Sequence, residues 1–435
     1  MKTALALLLN AALLAVLLPW LGRQWRWAGA GWWRGALVAG LGLRLLVGFI
    51  TGWQLVRDAQ VMSFNGRILT AQMWAEPGAA LRTLWGEELH HAGQDLVFYG
   101  MSNTFFFIKI LAFLNLASLN TDWLNALYLS AFSFVGCWAL VRALGQVFPH
   151  TPGGAGVVGF LLWPSMVFWA SGVTKESVVL GSGAWLLALF IALFFGKPAA
   201  PKPVLWGQAT SLAVLAVLHF KMRYFFAVPL LGALAALALV QLLQRVGLAR
   251  RRWAQALVLA VVLGSGAWLA SEVSVAFRLN KFTNQVVRIY SRHLGASAGQ
   301  PHFEYPDLQP TPASILRHVP KAAVNAFARP WLGESRRFLY VAAGLENALL
   351  LTLIALALVA VGRGRAGQLP FGVALALGVH CLALAVLLGL STPNLGSLHR
   401  YRSGLLPYAV LLLLQNEYAA AVLRRLGMSK EPGQP

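Results

Sequence analysis

The apolar positions of this chain neither alternate nor form one helical stripe; they come in long unbroken runs. Eleven such runs lie near 3–21, 33–56, 122–143, 154–170, 177–196, 204–220, 224–243, 254–271, 339–361, 369–391 and 403–423. Each approaches the roughly 20 predominantly apolar residues that a helix needs to cross a hydrocarbon core. A twelfth run, 102–118 (SNTFFFIKILAFLNLAS), is short and holds Lys109 and Asn115. The pattern predicts an all-α polytopic membrane protein with about 11 transmembrane helices.

Loop charge decides what the twelfth run does. If 102–118 does not span, one side of the membrane collects Arg23, Arg26 and Arg34; Arg142; Lys197 and Lys202; Arg245, Arg250, Arg251 and Arg252; Arg363 and Arg365; and Arg424, Arg425 and Lys430. Cytoplasmic loops carry such an excess of Lys and Arg. If the run did span, the first cluster would lie opposite the rest. The expected topology therefore has the N-terminus outside and the C-terminus in the cytoplasm. The run 102–118 becomes a re-entrant or interfacial helix in the first large extracytoplasmic loop.

Five segments then share the outer side: 57–121, 171–176, 221–223, 272–338 and 392–402. The chain divides into residues 1–271, a helical bundle with the first extracytoplasmic loop 57–121; residues 272–338, an extracytoplasmic loop subdomain; and residues 339–435, the last transmembrane helices with a short cytoplasmic tail. The run 3–21 is long enough to span and is followed by Arg23 and Arg26, so it reads as a retained helix rather than a cleaved signal.

Composition excludes the main rivals. Of 435 residues 58% are hydrophobic and 11% charged, with mean hydropathy +0.65. Soluble domains carry about 25% charged residues. The net charge of +21 follows from the one-sided loops and does not indicate nucleic acid. Cys137 and Cys381 lie inside apolar runs and read as small hydrophobes.

The candidate chemistry falls on the outer side. Asp58, after Arg57 at the end of the second run, is placed to act as a general base or hold a cation; it could equally be a helix-end charge paired with Arg57. In the stretch 163–177, WPSMVFWASGVTKES, Gly172 permits a sharp turn, Ser171 or Thr174 can cap the next helix, and Glu176 suits its first turn. Capping does not account for Lys175, a cation at a helix N-terminus. A bound anion would, because amides and ammonium then converge on it. In 392–402, TPNLGSLHRYR, His399, Arg400 and Arg402 run against the charge bias of that side. They suit phosphate, or surface contact with lipid headgroups. Lys221 and Arg223 extend the same basic rim. Weaker signals are Glu87–His91 as a metal site, Arg44 as an intramembrane charge, and Glu346 and Asn347 facing a polar cavity. His219 and His380 read as packing residues.

An acid just after an early span, under a large loop, resembles the GT-C superfamily of integral membrane glycosyltransferases. The stretch 163–176 is similar to a motif of bacterial membrane proteins from surface-polysaccharide gene sets. So are Arg329-Pro330-Trp331 with Glu334, Glu346-Asn347, and Asn394–Arg402 ahead of Pro407. Many such proteins are labelled family-39-like glycosyltransferases. The likeness spans most of the chain in topology but only a few dozen residues in motifs. It implies transfer of a sugar from a polyprenyl-phosphate-linked donor to a glycan, lipid or protein acceptor at the outer face of a bacterial inner membrane. Asp58 would be the catalytic base. The phosphate- or substrate-binding set would be Lys175, Glu176, Lys221, Arg223, His399, Arg400 and Arg402. Asp58 is followed by Ala59, where many relatives carry a second acid. No metal ligands are assigned, and a divalent cation stays open. A transporter or flippase for a lipid-linked anionic glycan, and a non-catalytic scaffold of a polysaccharide machine, are the alternatives.

Overall fold

The computed structural model describes residues 1–98, 100, 102–196, 202–273 and 278–428. The helices are α1 Lys2–Trp27, α2 Trp32–Trp53, α3 Arg57–Ala75, α4 Pro77–Trp85, α5 Asn103–Ser118, α6 Asp122–Val147, α7 Gly153–Val157, α8 Pro164–Trp169, α9 Lys175–Phe195, α10 Lys202–Met222, α11 Tyr224–Arg245, α12 Arg252–Val273, α13 Leu279–Gly295, α14 Pro312–Ala328, α15 Phe338–Gly362, α16 Phe371–Ser391, α17 Leu395–Tyr401, α18 Leu406–Leu414 and α19 Glu417–Arg425. A hairpin of β1 Glu88–His91 and β2 Gln94–Val97 sits between α4 and α5. The chain is an all-α polytopic membrane protein. Among the described residues eight helices are long and apolar enough to cross a membrane: α1, α2, α6, α9, α11, α12, α15 and α16.

The expected count of eleven is not confirmed: eight helices qualify, or nine if the bent pair α18 and α19 is one span, and three of the expected runs stand apart. The run 154–170 is broken: α7 passes into a π-helical turn, Val158–Leu162, and Trp163-Pro164 restarts the helix as α8. It still passes along the bundle, with Gly154 against Leu423 at one end and Ser171 following α8 at the other. The run 204–220 lies on α10, where the side chains of 202–205 fall outside the described residues, as do Lys197 and Lys430 of the expected basic loops. The run 403–423 is not one straight span, because α18 and α19 meet at 89°. Asn416 makes that corner by capping α19, its Oδ1 accepting from the amides of Tyr418 and Ala419. The helical run into α18 begins earlier than expected, at α17, so Arg400 and Arg402 lie within it.

Two further elements are absent from the hydropathy pattern. The first loop opens with the 19-residue α3, too polar to register as a span. The hairpin closes on Ala92 and Gly93, both with positive φ, the geometry of a tight two-residue turn.

Small residues set the packing. A Cβ on Gly136 of α6 would lie 2.0 Å from the carbonyl oxygen of Gly181 in α9, so these two helices touch backbone to backbone. Gly48 and Gly52 bring α2 close to α6, where an added Cβ would lie 2.2 Å from Ser130 Oγ and 2.6 Å from Ala126 Cβ. The first loop is tied on by amides: Asn125 Nδ2 donates to Asn115 Oδ1 at 2.7 Å, and Asn115 Nδ2 to Thr70 Oγ1 at 3.2 Å. In the segment 272–338, α14 packs on α16 so tightly that a Cβ on Gly389 would sit 2.1 Å from the Ala322 oxygen.

Arg44 is fully buried. Its guanidinium donates to Ser133 Oγ, to the carbonyls of Ala170 (2.7 Å) and Phe160 (3.2 Å), and approaches Met166 Sδ. The π turn and Pro164 leave carbonyls without helical partners, and an arginine with five donors supplies them.

Replacing Gly136 by valine is expected to cost at least about 1–3 kcal/mol through overpacking. It should lower the thermal midpoint of the purified protein, whereas Gly207→Ala, whose Cβ meets nothing within 4 Å, should not. Equal midpoints for both variants would contradict the backbone-to-backbone contact.

Candidate functional site

All five segments expected to share one side meet at one end of the bundle. Gly172, with φ +85°, makes the turn ahead of α9 and lies so close to Thr51 that no Cβ fits. Thr174 then caps α9, accepting from the Ser177 amide at 3.2 Å. That cap fixes Lys175 and Glu176 as the first two helical residues. Asn394 caps α17 in the same way, and its Nδ2 donates to Ser297 Oγ at 3.1 Å. Backbone bonds from Phe303 to Pro393 and from Leu395 to Pro301 dock the 297–303 segment against it.

Glu176 is the hub. Its carboxylate is 4% exposed and is shared by two arginines. Arg223, in the break between α10 and α11, donates to Oε1 at 2.6 Å. Arg400 of α17 donates to Oε2 at 3.1 Å and reaches Asp58 Oδ2 at 3.3 Å. The Asp58 side chain is 75% exposed, so one arginine bridges a buried and a solvated carboxylate. The Arg57 pairing considered from sequence is replaced by this link across 342 residues. Arg223 also stacks on Tyr401, 4.4 Å from the ring centroid.

Lys175 is held differently. Its ammonium donates to Asn103 Oδ1 at 2.8 Å and Thr104 Oγ1 at 2.7 Å, at the start of α5. Among the described residues it has no ion-paired carboxylate. Lys175 and Arg223 line a cavity of about 220 Å³ together with His293 and Tyr401. The rest of the wall is largely apolar, with Val286, Ile289, Phe225, Leu384, Leu387 and Leu388.

The other candidates lie elsewhere. Arg402 is fully buried and turned away from this cavity; it donates to the carbonyls of Ala326 and Phe327 in the last turn of α14. Its work there is to pin α14 to the bundle, favoured by the negative end of that helix. His399 is buried, with Nδ1 3.0 Å from Trp169 Nε1. Lys221 faces a second, smaller cavity. Glu346 accepts from Trp163 Nε1 and from the Ser165 amide, both at 2.8 Å, and so anchors the restart of the broken segment. In the hairpin, Asp95 and Glu88 flank His90 and raise its pKa through hydrogen bonds. Among the described residues no group of three His, Cys, Asp or Glu side chains is arranged to hold a metal.

Asn103, Thr104, Tyr401 and His293 were not legible as site residues. Asn103 and Thr104 are the polar start of the run 102–118, and His293 lies near the end of an amphipathic helix. In comparisons with protein-family models, curated proteins and solved structures, no family model, protein or structure matches this chain.

Glu176→Gln leaves the largely buried Arg223 without its carboxylate partner and Arg400 with only the solvated Asp58. It is expected to destabilise by about 3–5 kcal/mol, while Asp58→Asn, at a solvated carboxylate, costs at most about 1 kcal/mol. Thermal unfolding of both variants checks the ranking.

Proposed function

We propose that this protein transfers a sugar from a polyprenyl-phosphate-linked donor to an acceptor at the extracytoplasmic face of a bacterial inner membrane. The observation that carries the proposal is Lys175: a half-buried ammonium whose hydrogen-bond partners among the described residues are neutral, beside Arg223, on the wall of a largely apolar cavity. Three cations, Lys175, Arg223 and Arg400, stand against two carboxylates, Glu176 and Asp58, which leaves positive charge for a phosphate to neutralise. The apolar wall suits a prenyl chain. A guanidinium and an ammonium aimed at that phosphate stabilise it as a leaving group. Asp58, held beside them by Arg400, is the acceptor's base, and taking a proton requires it to give up part of that contact.

Transport of the same lipid-linked anion is the second reading. It draws on the broken segment 153–169, since discontinuous helices mark many transporters. Asp58 separates the two: Asp58→Asn abolishes transfer but leaves transport largely intact.

The first test is binding of a polyprenyl phosphate to the purified protein, by native mass spectrometry or thermal shift. Wild type should bind, and Lys175→Ala/Arg223→Ala should bind at least about tenfold more weakly, the loss of one charge-assisted contact. No binding by folded wild type would remove the donor site. A reporter fused after residue 147 should read cytoplasm; a periplasmic signal would place the site on the wrong side for this chemistry.

His293 adds a pH signature. Burial, and secondarily Arg292, lower its pKa, so it is neutral near pH 7 and gains charge only below the ordinary histidine range of about 6.5. A new cation on the wall strengthens anion binding, so affinity should rise more steeply on acidification in wild type than in His293→Gln. Matching pH profiles would take His293 out of the site.

A further inference from the structure

A second cavity, of about 100 Å³, lies on the other side of the α5 N-terminus. Its wall includes Lys109, Lys221, Trp85, Phe98, Phe105 and Glu87. The two cavities are neighbours through short stretches of chain: Asn103, which holds Lys175, is two residues from Phe105, and Arg223 is two residues from Lys221. Lys109 is anchored by a neutral contact, donating to the Gly86 carbonyl at 2.8 Å, with its ammonium 4.3 Å from the Phe105 ring centroid. Phe98 stacks on Phe105 with centroids 4.4 Å apart and planes within 7°. Trp85 stands at the rim with 87% of its surface exposed.

Each feature selects the same chemistry. Two ammonium groups against the single carboxylate of Glu87 favour an anion. The exposed indole of Trp85 offers flat aromatic surface at the rim, which suits the C–H face of a pyranose ring. The volume accommodates several water molecules at about 10–15 Å³ each, which is room for a small polar group. Trp85 ends α4, and Glu87 and Phe98 flank the hairpin, so these wall residues belong to none of the eight candidate spans.

We infer that this second cavity binds a sugar carrying a carboxylate. Resting on the transferase reading above, it is the acceptor subsite, next to the donor cavity at the start of α5 and the end of α10. Lys109 and Lys221 take the carboxylate, and Trp85 covers the ring.

The test uses the full-length protein in nanodiscs of zwitterionic lipid. The probe is a short oligosaccharide ending in glucuronic acid, and its neutral methyl ester is the comparison. Calorimetry should show the acid binding at least about tenfold tighter than the ester. Lys109→Gln/Lys221→Gln should erase that preference, and Trp85→Ala should weaken both ligands. Lys175→Ala/Arg223→Ala should leave the preference intact. Equal binding of acid and ester, or no binding by wild type, overturns the inference. So does loss of the acid's advantage when anionic lipid is added at constant ionic strength, because the cavity is then a headgroup site. Should the double lysine variant lose stability, the Trp85→Ala result decides, since that side chain is almost wholly exposed. Polyprenyl phosphate binding in the same samples keeps the two proposals apart: its absence with acid binding retained sinks the donor reading alone.

Discussion

The end of the bundle that carries the site is organised by one carboxylate. Glu176 is almost wholly buried and is the acceptor for both Arg223 and Arg400. Burying ions is expensive, and the arrangement holds only because each charge has a partner. Its consequences run outward. Arg223 fixes the break between α10 and α11, Arg400 fixes α17, and through Arg400 the first loop is tethered at Asp58. The start of α9, set by Gly172 and the Thr174 cap, aims the carboxylate inward where these elements meet. The adjacent residue, Lys175, is turned toward α5. Two consecutive residues thus differ: Glu176 draws the surrounding elements together, and Lys175 carries a charge with no directly paired carboxylate among the described residues.

The rest of the fold supplies rigidity around that point. Glycines let α6 meet α9 and α2 at backbone distance, so the site end stands on three tightly apposed helices. Arg44 ties the broken segment to them, and Glu346 pins its restart at Trp163 and Ser165. On the other flank, Arg402 fastens α14 through its last carbonyls, while the contact between 297–303 and 393–395 brings α13 and His293 to the cavity. Side chains of equal charge therefore do different jobs according to depth. Arg400 is poised between protein and solvent, Arg402 is a fastener, and Arg44 completes backbone hydrogen bonding inside the bundle.

What the sequence determined by itself follows from rules local along the chain. Apolar run length revealed an all-α polytopic membrane protein, because a helix must satisfy its own backbone in lipid. Loop charge grouped the five segments that carry the site residues, and cap chemistry located the start of α9. The count of spans was beyond that reach. Hydropathy sums residues without seeing that a π turn with Trp163-Pro164 breaks one run, or that the Asn416 cap bends another by 89°. Polar α3 and the hairpin carry no hydropathy signal.

Which charges work together was decided only in three dimensions. Asp58 and Arg400 are 342 residues apart, and no spacing rule connects them. Arg400 and Arg402, two apart on a short helical run, point to different neighbours, one to carboxylates and one to carbonyls. Sequence reports that a residue is charged. Whether that charge is shared, spent on the backbone or left for a ligand depends on what the packing of distant helices places beside it.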